Sequence, residues 1–123
     1  MRVDDMNNET LEYWSDQAAV RLAERRKNPP HQDDRLLYIS FEDDAPDPLN
    51  YPADTMAVII GLRVNLTCDY TPGGCLIVGD NGWTARCGWP NNRGIAIQGS
   101  TQQEAVTRLF VAMLIGREVG DKT

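Results

Sequence analysis

Leu11, Trp14, Ala18 and Leu22 recur at helical spacing on one face, while Glu9, Glu12, Asp16 and Glu24 fall elsewhere, which predicts a helix over 9–27. Early acids and a terminal Arg25-Arg26-Lys27 suit its dipole, and Asn28-Pro29-Pro30 stops it. Residues 1–8 read as a polar tail, and 28–35 as a loop. Leu36-Leu37-Tyr38-Ile39-Ser40-Phe41 is rich in strand formers and predicts a first strand. Residues 42–52 form a loop in which Pro46, Pro48 and Pro52 oppose regular pairing. Ala53, Met56, Ala57 and Ile60 then fit a helix over 53–62, although Val58-Ile59-Ile60 would also suit a strand.

Val64, Leu66, Cys68 and Tyr70 alternate with Asn65, Thr67 and Asp69, the period of a half-buried strand. Thr71-Pro72-Gly73-Gly74 turns the chain into a returning strand over 75–79, and Asp80-Asn81-Gly82 is a hairpin turn, since Asn-Gly accepts the positive φ such turns need. Strands over 83–89 and 95–98 follow. Thr101 and Glu104 form a capping box, in which the Thr101 hydroxyl takes the Glu104 N–H and the carboxylate reaches back. The helix it opens is expected to run to about 118, to bury Val106, Leu109, Phe110, Met113 and Leu114, and to end at Gly120. The pattern predicts an α+β fold: an antiparallel β-meander sheet covered by an N-terminal, a middle and a C-terminal helix.

At 123 residues this is one domain, 1–123, long enough to bury a core without metal or disulfide staples. No apolar run approaches the roughly 20 residues a membrane helix requires. The acidic opening Met1-Arg2-Val3-Asp4-Asp5 is unlike a secretory leader, so the cytoplasm is the expected location. Cys68, Cys75 and Cys87 are odd in number and lack zinc spacing, so they are read as buried small hydrophobes.

The formal net charge of −6 sits in the first part of the chain, where residues 1–50 hold 12 acids and 6 bases. Glu42, Asp43, Asp44 and Asp47 place four carboxylates in six residues, a strip that repels nucleic-acid phosphates and suits a basic groove on a protein. The bland alternative is a solvated loop that aids solubility. No glycine stands where a calcium loop needs one, so neither a metal nor another cofactor is expected. His31, the one histidine, lies in a polar linker, and no acid–base or nucleophile constellation is visible; the expectation is a protein without catalysis. Trp89, Asn91, Asn92 and Arg93 put an indole, two amides and a guanidinium at one strand end, a set that could grip a planar ligand or a partner. The competing reading has Trp83, Ala85, Cys87 and Trp89 lining the core, with Arg86 on the opposite face and Asn91 and Asn92 as turn residues.

Tyr51-Pro52-Ala53-Asp54 opening a helix with Ala57, Gly82-Trp83-Thr84-Ala85 entering a strand, and Ser100-Thr101-Gln102-Gln103-Glu104-Ala105 opening a helix that closes on Leu114-Ile115 make a familiar layout. Over about residues 50–116 it resembles the small bacteriophage ABA-sandwich proteins similar to the NinX-like family. The first helix departs from that family, closing on Arg25-Arg26-Lys27-Asn28 in place of an apolar ending. The resemblance implies a phage origin, a sandwich fold and an accessory role in the host cytoplasm, with no activity to assign residue by residue. The expected function is binding and inhibition of a host protein complex with a basic groove, such as a CRISPR defence complex. The alternatives are a small-ligand sponge for a nucleotide signal and a replication or recombination accessory protein. Direct nucleic-acid binding and membrane association are not expected, and either a monomer or a homodimer fits.

Overall fold

The computed structural model describes residues 1–28, 35–41, 46–68, 82–87 and 96–119. Their order is a 3₁₀ turn (Val3–Asp5), helix α1 (Asn8–Lys27), a second 3₁₀ turn (Arg35–Tyr38), α2 (Pro52–Leu62), β1 (Val64–Cys68), β2 (Trp83–Cys87), β3 (Ala96–Gly99) and α3 (Gln102–Leu114). The strands form an antiparallel sheet in the order β1-β2-β3, and the fold is α+β. The expected strand at 75–79 lies outside the described residues.

Each helix starts where the sequence offers a cap. The Asn7 side chain accepts the Thr10 N–H at 2.9 Å, Pro52 occupies the first turn of α2, and the Thr101 hydroxyl accepts the Glu104 N–H at 3.1 Å. The other half of the capping box is absent: the Glu104 carboxylate turns to the Ser100 hydroxyl and the Arg108 guanidinium, both at 2.7 Å. That charge-assisted contact outcompetes a backbone N–H. α3 also stops at Leu114, short of the expected 118, because Gly116 takes φ +136° and turns the chain back.

α3 lies across β2 and β3, α2 packs against β1 and α3, and α1 packs chiefly on α3. The N-terminal helix thus covers the sheet through α3. The core between these layers holds Leu11, Ala18 and Leu22 from α1, Val58 and Leu62 from α2, Ala85 and Ile97 from the sheet, and Val106, Leu109 and Phe110 from α3. Cys87 is buried, with its thiol donating to the Leu62 carbonyl at 3.5 Å, and Cys68 is half-buried. Register places Asn65, Arg86 and Ala96 in one row and Thr67, Thr84 and Gln98 in the next, forming a polar face opposite α3.

Two expectations are corrected. Residues 1–8 are no tail: Val3 and Met6 are buried, the Val3 N–H donates to the Arg117 carbonyl at 2.8 Å, and Arg2 bridges Glu118. Nor is 36–41 a strand. Leu36 and Ile39 are buried three residues apart, the period of a 3₁₀ turn, and Tyr38 is exposed. The second turn docks on α2 at Gly61, where a Cβ would stand 2.6 Å from the Ile39 Cα, so bare backbone meets bare backbone.

Candidate functional site

The candidate site starts from a proline-rich turn. The chain enters α2 through Asp47-Pro48-Leu49-Asn50, and Asp47 shapes that entry. Its carbonyl accepts the Tyr51 N–H at 2.9 Å, its carboxylate accepts the Asn50 backbone and side-chain N–H groups at 3.2 and 2.9 Å, and its own N–H donates to the buried Asp54 carboxylate at 2.9 Å. The Thr55 hydroxyl donates to the Pro48 carbonyl and closes the turn from below. Of the four residues of the acidic strip, Asp47 is therefore a turn-forming residue. Glu42, Asp43 and Asp44 lie outside the described residues.

The turn leans on α1. The Asn50 amide donates to the Glu12 carboxylate as well as to Asp47, tying two acids together. Asp16, one helical turn beyond Glu12, completes the group. Partial burial, then the charges of Asp47 and Glu12, raise its carboxyl above the ordinary range. The sequence reading missed Glu12 and Asp16 as site residues. A signal was present: like charges four apart on a helix repel, so their retention without a neighbouring base is a cost to be explained.

Beside this acidic group opens a groove of about 490 Å³, lined by Asp16, Ala19, Val20, Ala23, Glu24, Lys27 and Pro46. It continues past Leu22 and Phe41 into a second hollow of about 390 Å³. Alanines at 19 and 23 keep the helix surface low, and Val20 stands exposed on the rim. The floor is apolar. Asp16 lines one end of the groove, and towards the other Glu24 stands with Lys27 and, in the second hollow, Arg26.

A different surface lies on the open sheet face. Asp4, Thr67, Thr84, Arg86, Gln98 and Arg117 surround a polar hollow of about 340 Å³. Arg117 grips Asp4 through Nε at 3.2 Å and Nη2 at 2.8 Å, which holds the Asp4 carboxyl below its ordinary range and the guanidinium above its own. Arg86 is exposed, opposite the buried Ala85 and Cys87, as the strand period requires. Trp89, Asn91, Asn92 and Arg93 lie outside the described residues, as does His31.

Among the described residues no group of three or more His, Cys, Asp or Glu side chains is placed to hold a metal ion. Among them, too, no helix is long and apolar enough to cross a membrane. No protein-family model matches the chain, and no curated protein or solved structure matches it significantly.

Proposed function

We propose that this protein is a non-catalytic binding module that docks a basic, partly apolar segment of a protein partner along α1. The observation that carries the reading is the group Glu12–Asn50–Asp47 with Asp16, carboxylates held together by the fold at the mouth of an apolar groove. Crowded carboxylates gain most when a guanidinium or ammonium arrives, because the incoming charge relieves their mutual repulsion and speeds encounter. The groove floor of Ala19, Val20, Ala23 and Pro46 supplies apolar area, which charge alone does not, and area of this kind sets the lifetime of a complex. In sequence, Glu42, Asp43 and Asp44 stand two to four residues before Pro46 and add three more formal negative charges to this stretch of chain.

Proteins that bind nucleic acid carry basic surface for its phosphates, so a partner of that class would offer such a segment. Together with the phage-like layout, this makes inhibition of a host nucleic-acid-handling complex, of which a CRISPR complex is an example, the functional role we assign. Native mass spectrometry of the tagged protein drawn from a bacterial lysate tests it against the charge-reversed Glu12→Lys/Asp16→Lys variant. A basic protein retained by the native chain and lost from the variant supports the reading. Equal retention by both chains overturns it.

A second reading rests on the sheet-face hollow: a small anionic ligand held by Arg86 and Arg117 among the Thr67, Thr84 and Gln98 side chains. A nucleotide that raises the melting temperature of the native protein and leaves Arg86→Ala unmoved would favour it.

A further inference from the structure

We infer that α2 is the interface of a symmetric homodimer, in which two copies lay this helix antiparallel against each other. Most of α2 is apolar around its whole circumference (Pro-Ala-Asp-Thr-Met-Ala-Val-Ile-Ile-Gly-Leu), a composition that belongs to a helix covered on all sides. The fold covers one side only. Asp54, Thr55, Val58, Gly61 and Leu62 are buried, whereas Met56 and Ile60, one turn apart, are 52% and 66% exposed. Tyr51 before the helix is 58% exposed, and Tyr38 on the 3₁₀ turn that packs against α2 is 57% exposed. Among the described residues, these are four of the six large hydrophobic residues left open to solvent, gathered on one helix and its immediate supports. Large apolar side chains left exposed on one helix and the turn packed beside it mark an interface.

The stripe is complementary to itself. α2 spans about 16 Å at 1.5 Å per residue, with the exposed cation Arg63 at its C-terminal end and Tyr51 and the Asp47 carboxylate at its N-terminal end. A twofold axis across the middle of the helix sets Met56 of one copy against Ile60 of the other. It also carries each Arg63 to the partner copy's Tyr51 ring and Asp47 carboxylate, a cation–π and a charge contact made twice by symmetry. The parallel arrangement would bring Arg63 onto Arg63. Pairing through the β3 edge is opposed by the structure, because its outward carbonyls are taken: Ala96 accepts from Arg117 at 3.3 Å and Gln98 from Arg108 at 2.8 Å. The contact shares Asp47 with the acidic group on α1, but Met56, Ile60 and Arg63 lie outside that group, so substitutions there test the dimer separately from the proposed partner.

One short helix and two tyrosines per copy make an interface at the small end of the stable range, with a dissociation constant in the micromolar decade. Sedimentation velocity from about 5 µM to about 500 µM reads it directly. The native chain is expected to pass from monomer to dimer in that window. Ile60→Glu and Arg63→Glu should each raise the dissociation constant at least about tenfold, while circular dichroism, and the melting temperature at concentrations where the native chain is monomeric, stay unchanged because both side chains are exposed. A native chain monomeric at the top of the window would overturn the inference and leave the stripe to another partner. An Ile60→Glu protein that dimerises as the native chain does would exclude α2 as the interface, and an indifferent Arg63→Glu would exclude the antiparallel arrangement.

Discussion

Arg108 Nη2 stands 2.7 Å from Glu104 Oε1, one helical turn away on α3, with 7% and 11% of the two side chains exposed. This buried pair is tied to three parts of the chain. Arg108 also donates to the Gln98 carbonyl on β3 and the Met6 carbonyl beyond the first 3₁₀ turn, each at 2.8 Å, while Glu104 accepts from Ser100. The Arg108 Nε finds no partner among the described residues, so the pair is satisfied on most of its polar atoms but not all. Its role is to register the N-terminal segment, the sheet edge and α3 against one another.

Removing one partner of a buried pair leaves the other uncompensated. Arg108→Ala is expected to cost about 3–5 kcal/mol in urea unfolding, and Glu104→Gln less, since the amide keeps an acceptor for Arg108. The Arg108→Met/Glu104→Leu double variant should recover much of the loss. Double and single variants equally destabilised would contradict this account of the pair.

The N-terminal residues are part of the core. Deleting residues 1–6 removes buried Val3 and Met6 and the Met6 carbonyl that receives Arg108. A loss of about 3 kcal/mol or more is expected, read as a lower urea midpoint. A truncated chain as stable as the full one would show the segment to be dispensable.

Backbone contacts predict equally sharp effects at two glycines. A Cβ at Gly99 would run into the Ala105 backbone N, and one at Gly61 would stand 2.6 Å from the Ile39 Cα. Backbone cannot swing aside as a side chain can, so Gly61→Ala and Gly99→Ala should each destabilise by about 1–3 kcal/mol. Melting temperatures unchanged from the native protein would contradict the close approach.

Two carboxylates carry opposite pH signatures. Asp4, held low chiefly by its hydrogen bonds to Arg117, contributes stability that is present above its ordinary value of 3.8 and is lost as pH falls through its lower folded value. Asp4→Asn should therefore be less stable at neutral pH, by about 1 kcal/mol at most for so exposed a pair, with the gap closing in strong acid. Asp16, raised by partial burial and by Asp47 and Glu12, is a cost at neutral pH that fades as pH falls through its raised value towards 3.8. Asp16→Asn should thus match or slightly exceed the native stability at neutral pH. Thermal melts across pH 3–7 check both signs, and a neutral-pH loss in Asp16→Asn would contradict the crowding of the acidic group.

Periodicity and caps made much of the architecture legible. Leu11, Ala18 and Leu22 lie on the buried face of α1, Val64 to Cys68 alternate as expected, and Thr101 caps α3. Failures came where tertiary contacts override local preference. Val3 and Met6 are isolated apolar residues without a period, so nothing local marks them as core. Strand-forming residues at 36–41 wind into a 3₁₀ turn because Gly61 lets backbone dock there. On α2 the stripe read from the sequence, Ala53, Met56, Ala57 and Ile60, runs along the outward side of the helix, while the face that packs inward includes Asp54 and Thr55. A helix apolar on two faces offers periodicity no way to choose between them. The candidate site was half legible: Asp47 was named from charge density, but its union with Glu12 through Asn50 is a contact across 38 residues that spacing does not reveal.

The most direct test of the binding role is a titration of the native protein with a synthetic amphipathic helix bearing arginines on one face and leucines on the other. Binding should weaken with added salt, as charge pairing requires, and should fall at least about tenfold in Glu12→Lys/Asp16→Lys and again in Val20→Asp. Backbone amide shifts on binding should fall along α1 and the 47–50 turn. An affinity indifferent to those substitutions, or shifts confined to the open sheet face, would contradict the assignment of α1 and the 47–50 turn as the docking site.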